Sequence, residues 1–221
     1  TINALHTLEV AGRTDIPVAV GAESALNGPF VYAEGFHGPS GLSLTPPPPA
    51  IAPIKQSADD WLFDRLATSG SPVTLIALGP LTNIARIFRE RPAAGNRIHH
   101  LVIMGGAVDC PGNVTDAAEF NIWNDPEAAE VVLNAGVATT LIGLDVCNQV
   151  TFTRNDIRQM HGPAAVMLTE WFNNHEDRGE FQLCDPLAIA AAIDSTLVTT
   201  TAMPVSVDTS SAASRGATRR G

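Results

Sequence analysis

The sequence predicts an α/β fold, a mostly parallel sheet with helices on both faces. Strands are read at 73–78, 101–104 and 139–144, and 73–78 is apolar almost throughout, as a strand covered on both faces requires. Helix-start signals alternate with these runs, which argues for right-handed crossovers between parallel strands. Polar and Gly-rich segments follow the runs directly, at 78–83, 104–121 and Asp145, where open α/β sheets bind ligands.

Taken in order, residues 1–11 carry Ile2, Leu5 and Leu8 at helical spacing, and Gly12 ends that helix. Residues 17–20 read as a short strand closed by Gly21, and 28–52 as a loop containing His37-Gly38, Gly41-Leu42 and the stiff run Pro47-Pro48-Pro49. Ser57-Ala-Asp-Asp60 places a carboxylate three residues after a hydroxyl, a capping box for a helix reaching about Thr68. The strand at 73–78 is broken by Gly79-Pro80, and a helix starts at Leu81. The third strand is 101–104, preceded at its amino end by His99-His100. Asn124-Asp125-Pro126-Glu127 starts a helix, with Pro in the first turn and acids facing the positive end of the dipole. A strand at 139–144 ends at Asp145; helices start at Thr153-Arg-Asn-Asp156, at Pro163 and at Asp185, where Asp185 is the expected cap. Residues 205–207 read as a last strand, and the Ser/Arg/Gly-rich tail after Ser210 as poorly ordered.

The 221 residues are enough for one domain with a substantial core. Acidic side chains outnumber basic ones, 23 to 13, and no basic patch stands out, which argues against a nucleic-acid partner. No apolar run is long enough to cross a bilayer and no signal peptide is seen, so no membrane association is expected. Three widely spaced cysteines, Cys110, Cys147 and Cys184, suggest neither a disulfide framework nor a zinc site, and a reducing, cytoplasmic setting is the simple reading.

The stretch 104–121 is the candidate ligand loop. Gly105 and Gly106 allow a sharp turn and close approach to a ligand. Asn113, Glu119 and Asn121 then supply two amides and a carboxylate, a set suited to a ligand with several hydroxyls; the bland alternative is a polar surface loop. Met-Gly-Gly-Ala is not a G-x-G-x-x-G fingerprint, so a dinucleotide site is disfavoured.

Several segments together resemble the inosine-uridine-preferring nucleoside hydrolase family: Leu75-Ile-Ala-Leu-Gly-Pro-Leu-Thr-Asn-Ile-Ala85, Met104-Gly-Gly106, Gly112-Asn113, Ala118-Glu-Phe-Asn121, Asp125-Pro-Glu-Ala-Ala129, Gly143-Leu-Asp145 and Asp185-Pro-Leu-Ala188. The opening, from Asn3-Ala-Leu5 through Thr14-Asp-Ile-Pro17 to His37-Gly38, is similar too. The resemblance implies a Rossmann-like nucleoside hydrolase fold and hydrolysis of the N-glycosidic bond of purine or pyrimidine ribonucleosides to base and ribose, in nucleoside salvage. It also implies one Ca²⁺ holding the ribose diol and the attacking water, and a homodimer or homotetramer. Position by position, Asp185 resembles a carboxylate ligand of calcium and Leu78 the residue lending its main-chain carbonyl. Asn113, Glu119 and Asn121 resemble the ribose-binding set, with Met104 beside the sugar, and His37 is a candidate to approach base or sugar. Trp171 and His175, four apart on a helix, are candidates to face the leaving base.

Two departures bear on activity. Cys184 stands where the family usually has the His assigned as acid to the leaving base; members with Cys form a subgroup, and a thiol with an ordinary pKa near about 8.5 is able to donate a proton. The family also opens with an Asp-rich segment that supplies further calcium carboxylates and the general base. No such cluster precedes Thr1, and Asp15 lies in a turn that does not fit the motif. The expectation is therefore a single truncated domain over 1–221, lacking that segment and the family's C-terminal part. The alternative is a catalytically inactive nucleoside- or sugar-binding relative.

Overall fold

The computed structural model describes residues 1–42, 46–210 and 213–221; the parts of the loop and tail readings at 43–45 and 211–212 lie outside the described residues. The helices are α1 (Ile2–Val10), α2 (Glu34–His37), α3 (Ala58–Thr68), α4 (Thr82–Glu90), α5 (Phe120–Asn124), α6 (Pro126–Leu133), α7 (Leu144–Cys147), α8 (Arg154–Ile157), α9 (Pro163–Asn173) and α10 (Cys184–Ile193). The strands are β1 (Val73–Ala77), β2 (Ile98–Met104), β3 (Thr139–Ile142), β4 (Thr151–Thr153), β5 (Glu180–Gln182), β6 (Val205–Val207) and β7 (Thr218–Arg220). Two compact units emerge: Thr1–Gly21, Val31–Ala58 and Thr151–Phe181 form one, and Ala22–Phe30, Asp59–Val150 and Gln182–Gly221 the other.

The second unit holds the parallel sheet, in the order β1-β2-β3. Leu75 pairs with Leu101 and Met104 with Ile142, so the strands end together at their carboxyl edge. Side chains alternate along β2. Leu101 and Ile103 enter a cluster with Ile84, Ile87 and Phe88 of α4 and Ala128, Ala129 and Val132 of α6. Val102 and Met104 enter the opposite cluster, with Leu144 and Cys147 of α7 and Leu187, Ala188 and Ala191 of α10. Both faces are thus covered, which is why apolar residues stand side by side at 75–77, 101–104 and 141–142.

Several elements differ from expectation. Residues 17–20 make one parallel bridge, Val20 with Ser57, because the partner segment turns into α3 at Ala58. Strand β2 begins at Ile98, three residues earlier than expected, and includes both histidines; His100 Nε2 lies 2.9 Å from Thr140 Oγ1 on the neighbouring strand. Strand β3 stops at Ile142, so Asp145 lies in the short helix α7 and does not end a strand. The cap of α10 is Leu183, placing Asp185 inside the first turn and not at the cap. Instead of fraying, the tail forms β7, antiparallel to β6 with Val207 opposite Thr218.

In the first unit α1 occupies the expected residues. Thr153 caps α8, where a helix start is expected, and does so in a capping box: Asp156 N donates to Thr153 Oγ1 and Thr153 N to the Asp156 carboxylate. Ile157, Trp171 and Phe172 form the core, with Phe36, Phe152, Leu168 and Phe181 packed around them. Among the described residues no helix is long and apolar enough to cross a membrane.

Candidate active site at the carboxyl edge of the sheet

The chain leaves β2 through Gly105 and Gly106, at φ 158° and 87°; the second value lies where a side chain is strained. The turn is held by Glu119, only 2% exposed. Its Oε2 accepts from Gly106 N at 3.0 Å and Ile122 N at 3.1 Å, and its Oε1 from Asn121 N at 2.9 Å. Glu119 is therefore the cap of α5, a helix the sequence reading did not anticipate because it spans only five residues. Burial pushes the Glu119 carboxyl above its ordinary pKa; the three N–H groups oppose that shift and the Asp185 charge adds to it.

Asn121 links this turn to the two strand ends. Its Nδ2 donates to the Met104 carbonyl at 3.1 Å, contacts Met104 Sδ at 3.2 Å, and lies 3.4 Å from the Leu78 carbonyl. Met104 is buried, and Leu78 packs against its cluster. The loop after Leu78 is anchored by Asp125, which is fully buried. Its carboxylate accepts from Thr82 Oγ1 at 2.6 Å, Leu26 N at 2.8 Å and Ala128 N at 3.0 Å. The sequence marked Asp125 as a helix start; its hold on Thr82 and Leu26 had no local signal.

Asp185 and Cys184 open α10 in the same unit. Asp185 keeps an exposed face, while the surrounding protein raises its carboxyl pKa by desolvation. Cys184 packs against the Met104 cluster, in which Cys147 is fully buried. The interaction between the two thiols lowers the Cys184 pKa and raises that of Cys147, whose Sγ also lies 3.9 Å from the Ile142 carbonyl. Cys110 packs on the same cluster. Cysteines that looked unrelated in sequence thus converge, and Cys147 is a neighbour of Cys184 that sequence reasoning missed.

Asn113 is exposed, and its Oδ1 accepts from Phe120 N at 2.9 Å. Its loop is tight around Gly112, where a Cβ would lie 2.3 Å from the Ala118 carbonyl and 2.4 Å from Ala118 N and Thr115 O. All three are backbone atoms, so relief requires the loop to open. Gly112→Ala is expected to cost about 1–3 kcal/mol. Calorimetry should show Tm falling by roughly 5 °C, with each kcal/mol worth about 2–4 °C at this size. An unchanged Tm would contradict this packing.

His37, Trp171 and His175 belong to the first unit. His37 ends α2, edge-on to Phe36, and burial and the His175 charge lower its pKa. Trp171 and His175 stack on each other with centroids 4.2 Å apart, and Trp171 Nε1 donates to the Phe36 carbonyl at 3.1 Å.

The donor set at the sheet edge suits a hard cation in kind, a carboxylate from Asp185 and a carbonyl from Leu78. It falls short in number: calcium takes roughly six to eight oxygens, and among the described residues no three His, Cys, Asp or Glu side chains group to hold a metal.

A sheet edge carrying a carboxylate-held glycine turn, two amides and a half-exposed Asp–Cys helix start is the kind of site found in α/β ligand-binding enzymes. Residues 1–220 match the family described as inosine-uridine preferring nucleoside hydrolase, and the chain belongs to that family. It is 37% identical over 228 residues to the pyrimidine-specific ribonucleoside hydrolase RihA of Salmonella newport, spanning 98% of this chain and 73% of the relative. Among solved structures, a plant nucleoside hydrolase is similar with a TM-score of 0.92 and 32% identity, over 100% of this chain and 73% of that one. The purine-preferring ribonucleoside hydrolase of Gardnerella vaginalis is similar with a TM-score of 0.89 and 30% identity, over 100% and 74%. The expected fold class and family are therefore established.

Proposed function

We propose that the protein hydrolyses the N-glycosidic bond of ribonucleosides to free base and ribose. One observation carries this: a family match over residues 1–220 that includes the polar set gathered at the ends of β1 and β2. In this reading Asn113, Glu119 and Asn121 frame the ribose and Met104 packs beside it. Asn113 Oδ1 is taken by Phe120 N, which leaves Nδ2 as a donor to a sugar oxygen. Asn121 Nδ2 is taken by the Met104 carbonyl, which leaves Oδ1 to accept from a sugar hydroxyl. The Glu119 and Asp185 carboxylates favour positive charge developing on the sugar in an oxocarbenium-like transition state. Asp185 and the Leu78 carbonyl are proposed as two oxygen ligands of Ca²⁺, which when bound would supply positive charge at the ribose diol and help to acidify water.

Cys184 is proposed as the acid to the leaving base. The neighbouring Cys147 thiol lowers its pKa below the ordinary thiol value, which makes it a readier proton donor. Cys184→Ala is expected to lower kcat on inosine on the order of a hundredfold; steady-state kinetics with wild-type kcat would remove Cys184 from the chemistry. We further read the family match across both units as one domain, acting in nucleoside salvage in the cytoplasm as a homodimer or homotetramer.

The test is a reducing-sugar assay with uridine and inosine in calcium. Ribose release from neither would refute the proposal. It would favour the second reading, a non-catalytic nucleoside- or sugar-binding relative, which the small number of calcium ligands among the described residues supports.

A further inference from the structure

The two successive amides of the glycine turn end on different side chains. Gly106 N donates to Glu119 Oε2 at 3.0 Å, and Ala107 N donates to Thr218 Oγ1 at 2.7 Å. Thr218 is 4% exposed and presses on the turn: a Cβ on Gly106 would lie 3.2 Å from its Oγ1 and 3.4 Å from its Cγ2. The residues around it clasp the same loop. Ala217 bridges Ala118, Gly216 lies so close to Trp123 that a Cβ would meet its Cα at 2.6 Å, and Arg220 Nη2 donates to Asp109 Oδ2 at 2.6 Å. Asp109 is itself held at φ 57°. In the hairpin carrying Thr218, Asp208 N donates to the Ala217 carbonyl at 2.9 Å.

We infer that Thr218 is a positioning residue for the sugar-binding loop. Its hydroxyl fixes the Ala107 amide and, through the adjoining Gly106 amide, the Glu119 carboxylate from which Asn121 hangs. The inference rests on the ribose-binding role proposed above. It differs from a purely packing role because the oxygen, not the methyl group, carries it.

Thr218→Val keeps the shape and removes the acceptor, Thr218→Ser keeps the acceptor, and Thr218→Ala removes both acceptor and bulk. In the full chain, Val and Ala variants should raise KM for uridine about tenfold with kcat within about threefold, the signature of lost uniform binding, while Ser stays within about twofold of wild type. Amide exchange across 106–121 should quicken by about tenfold or more in Val and Ala but not in Ser. Should the Val variant not fold, the Ser and Ala pair separates oxygen from bulk. Wild-type KM and exchange in Val, or a Ser variant as impaired as Ala, would overturn the inference. A wild-type chain that releases no ribose would instead sink the proposed function, and the exchange comparison would still decide the role of Thr218.

Discussion

Asp185→Ala is expected to cut ribose release from both uridine and inosine by about a thousandfold, as loss of a charge aimed at a developing transition-state charge typically does. The protein should survive the change. Asp185 sits inside the first turn of α10, whose cap is Leu183, so its structural contribution is at most the favourable placement of an acid near a helix start. That is worth about 0.3–1 kcal/mol, and the desolvation that raises its pKa works against it. Kinetics, calorimetric Tm and a calcium titration by isothermal calorimetry should be run on the same preparation. A large activity loss with weakened calcium binding and a near-normal Tm fits the proposal. Full activity in the alanine variant would remove Asp185 from the site.

Glu119→Ala should damage stability and activity together. Three N–H groups, of Gly106, Asn121 and Ile122, lose their acceptor in a buried place. Each unsatisfied group costs about 1–3 kcal/mol; with partial relaxation we expect a loss of about 3 kcal/mol, or roughly 10 °C in Tm. Ribose release should fall by at least about a hundredfold, because the same carboxylate sets the turn and holds Asn121, the amide proposed to bind the sugar. The Gln variant gives the pH signature. The folded-state pKa of Glu119 is raised above its unfolded value, first by burial. Its stabilising contribution is therefore complete below the ordinary carboxylate range and is lost as pH rises through the folded-state pKa. The Tm gap between wild type and Glu119→Gln should narrow as pH rises above the ordinary carboxylate range. A gap that widens with pH would contradict the assignment.

Much of the scaffold was legible locally. Strands β1, β2 and β3 announced themselves as apolar runs because both faces of the sheet are covered. The starts of α6 and α8 were readable because Asp125 and Thr153 cap within three residues of themselves. Polar residues following those strands marked the edge at which Leu78, Met104 and Asn121 meet. Errors fell where the deciding partner is remote. The histidines of β2 joined a strand because β1 runs alongside them, with Thr74 opposite His100, which no propensity records. Residues 17–20 fell short of a strand because their neighbour enters a helix. The tail gained a strand because Val205–Val207 lies opposite it.

The sequence by itself determined the three strands of the parallel sheet, the main helices that alternate with them, and the family, since periodicity, capping and motif spacing are written within a few residues of one another. Only the tertiary structure decided that Thr218 meets the Ala107 amide, that Cys147 meets Cys184, and that Asp125 joins Thr82 to Leu26. Those pairings join residues far apart along the chain, and they exist because the sheet and its two helical layers bring the partners together.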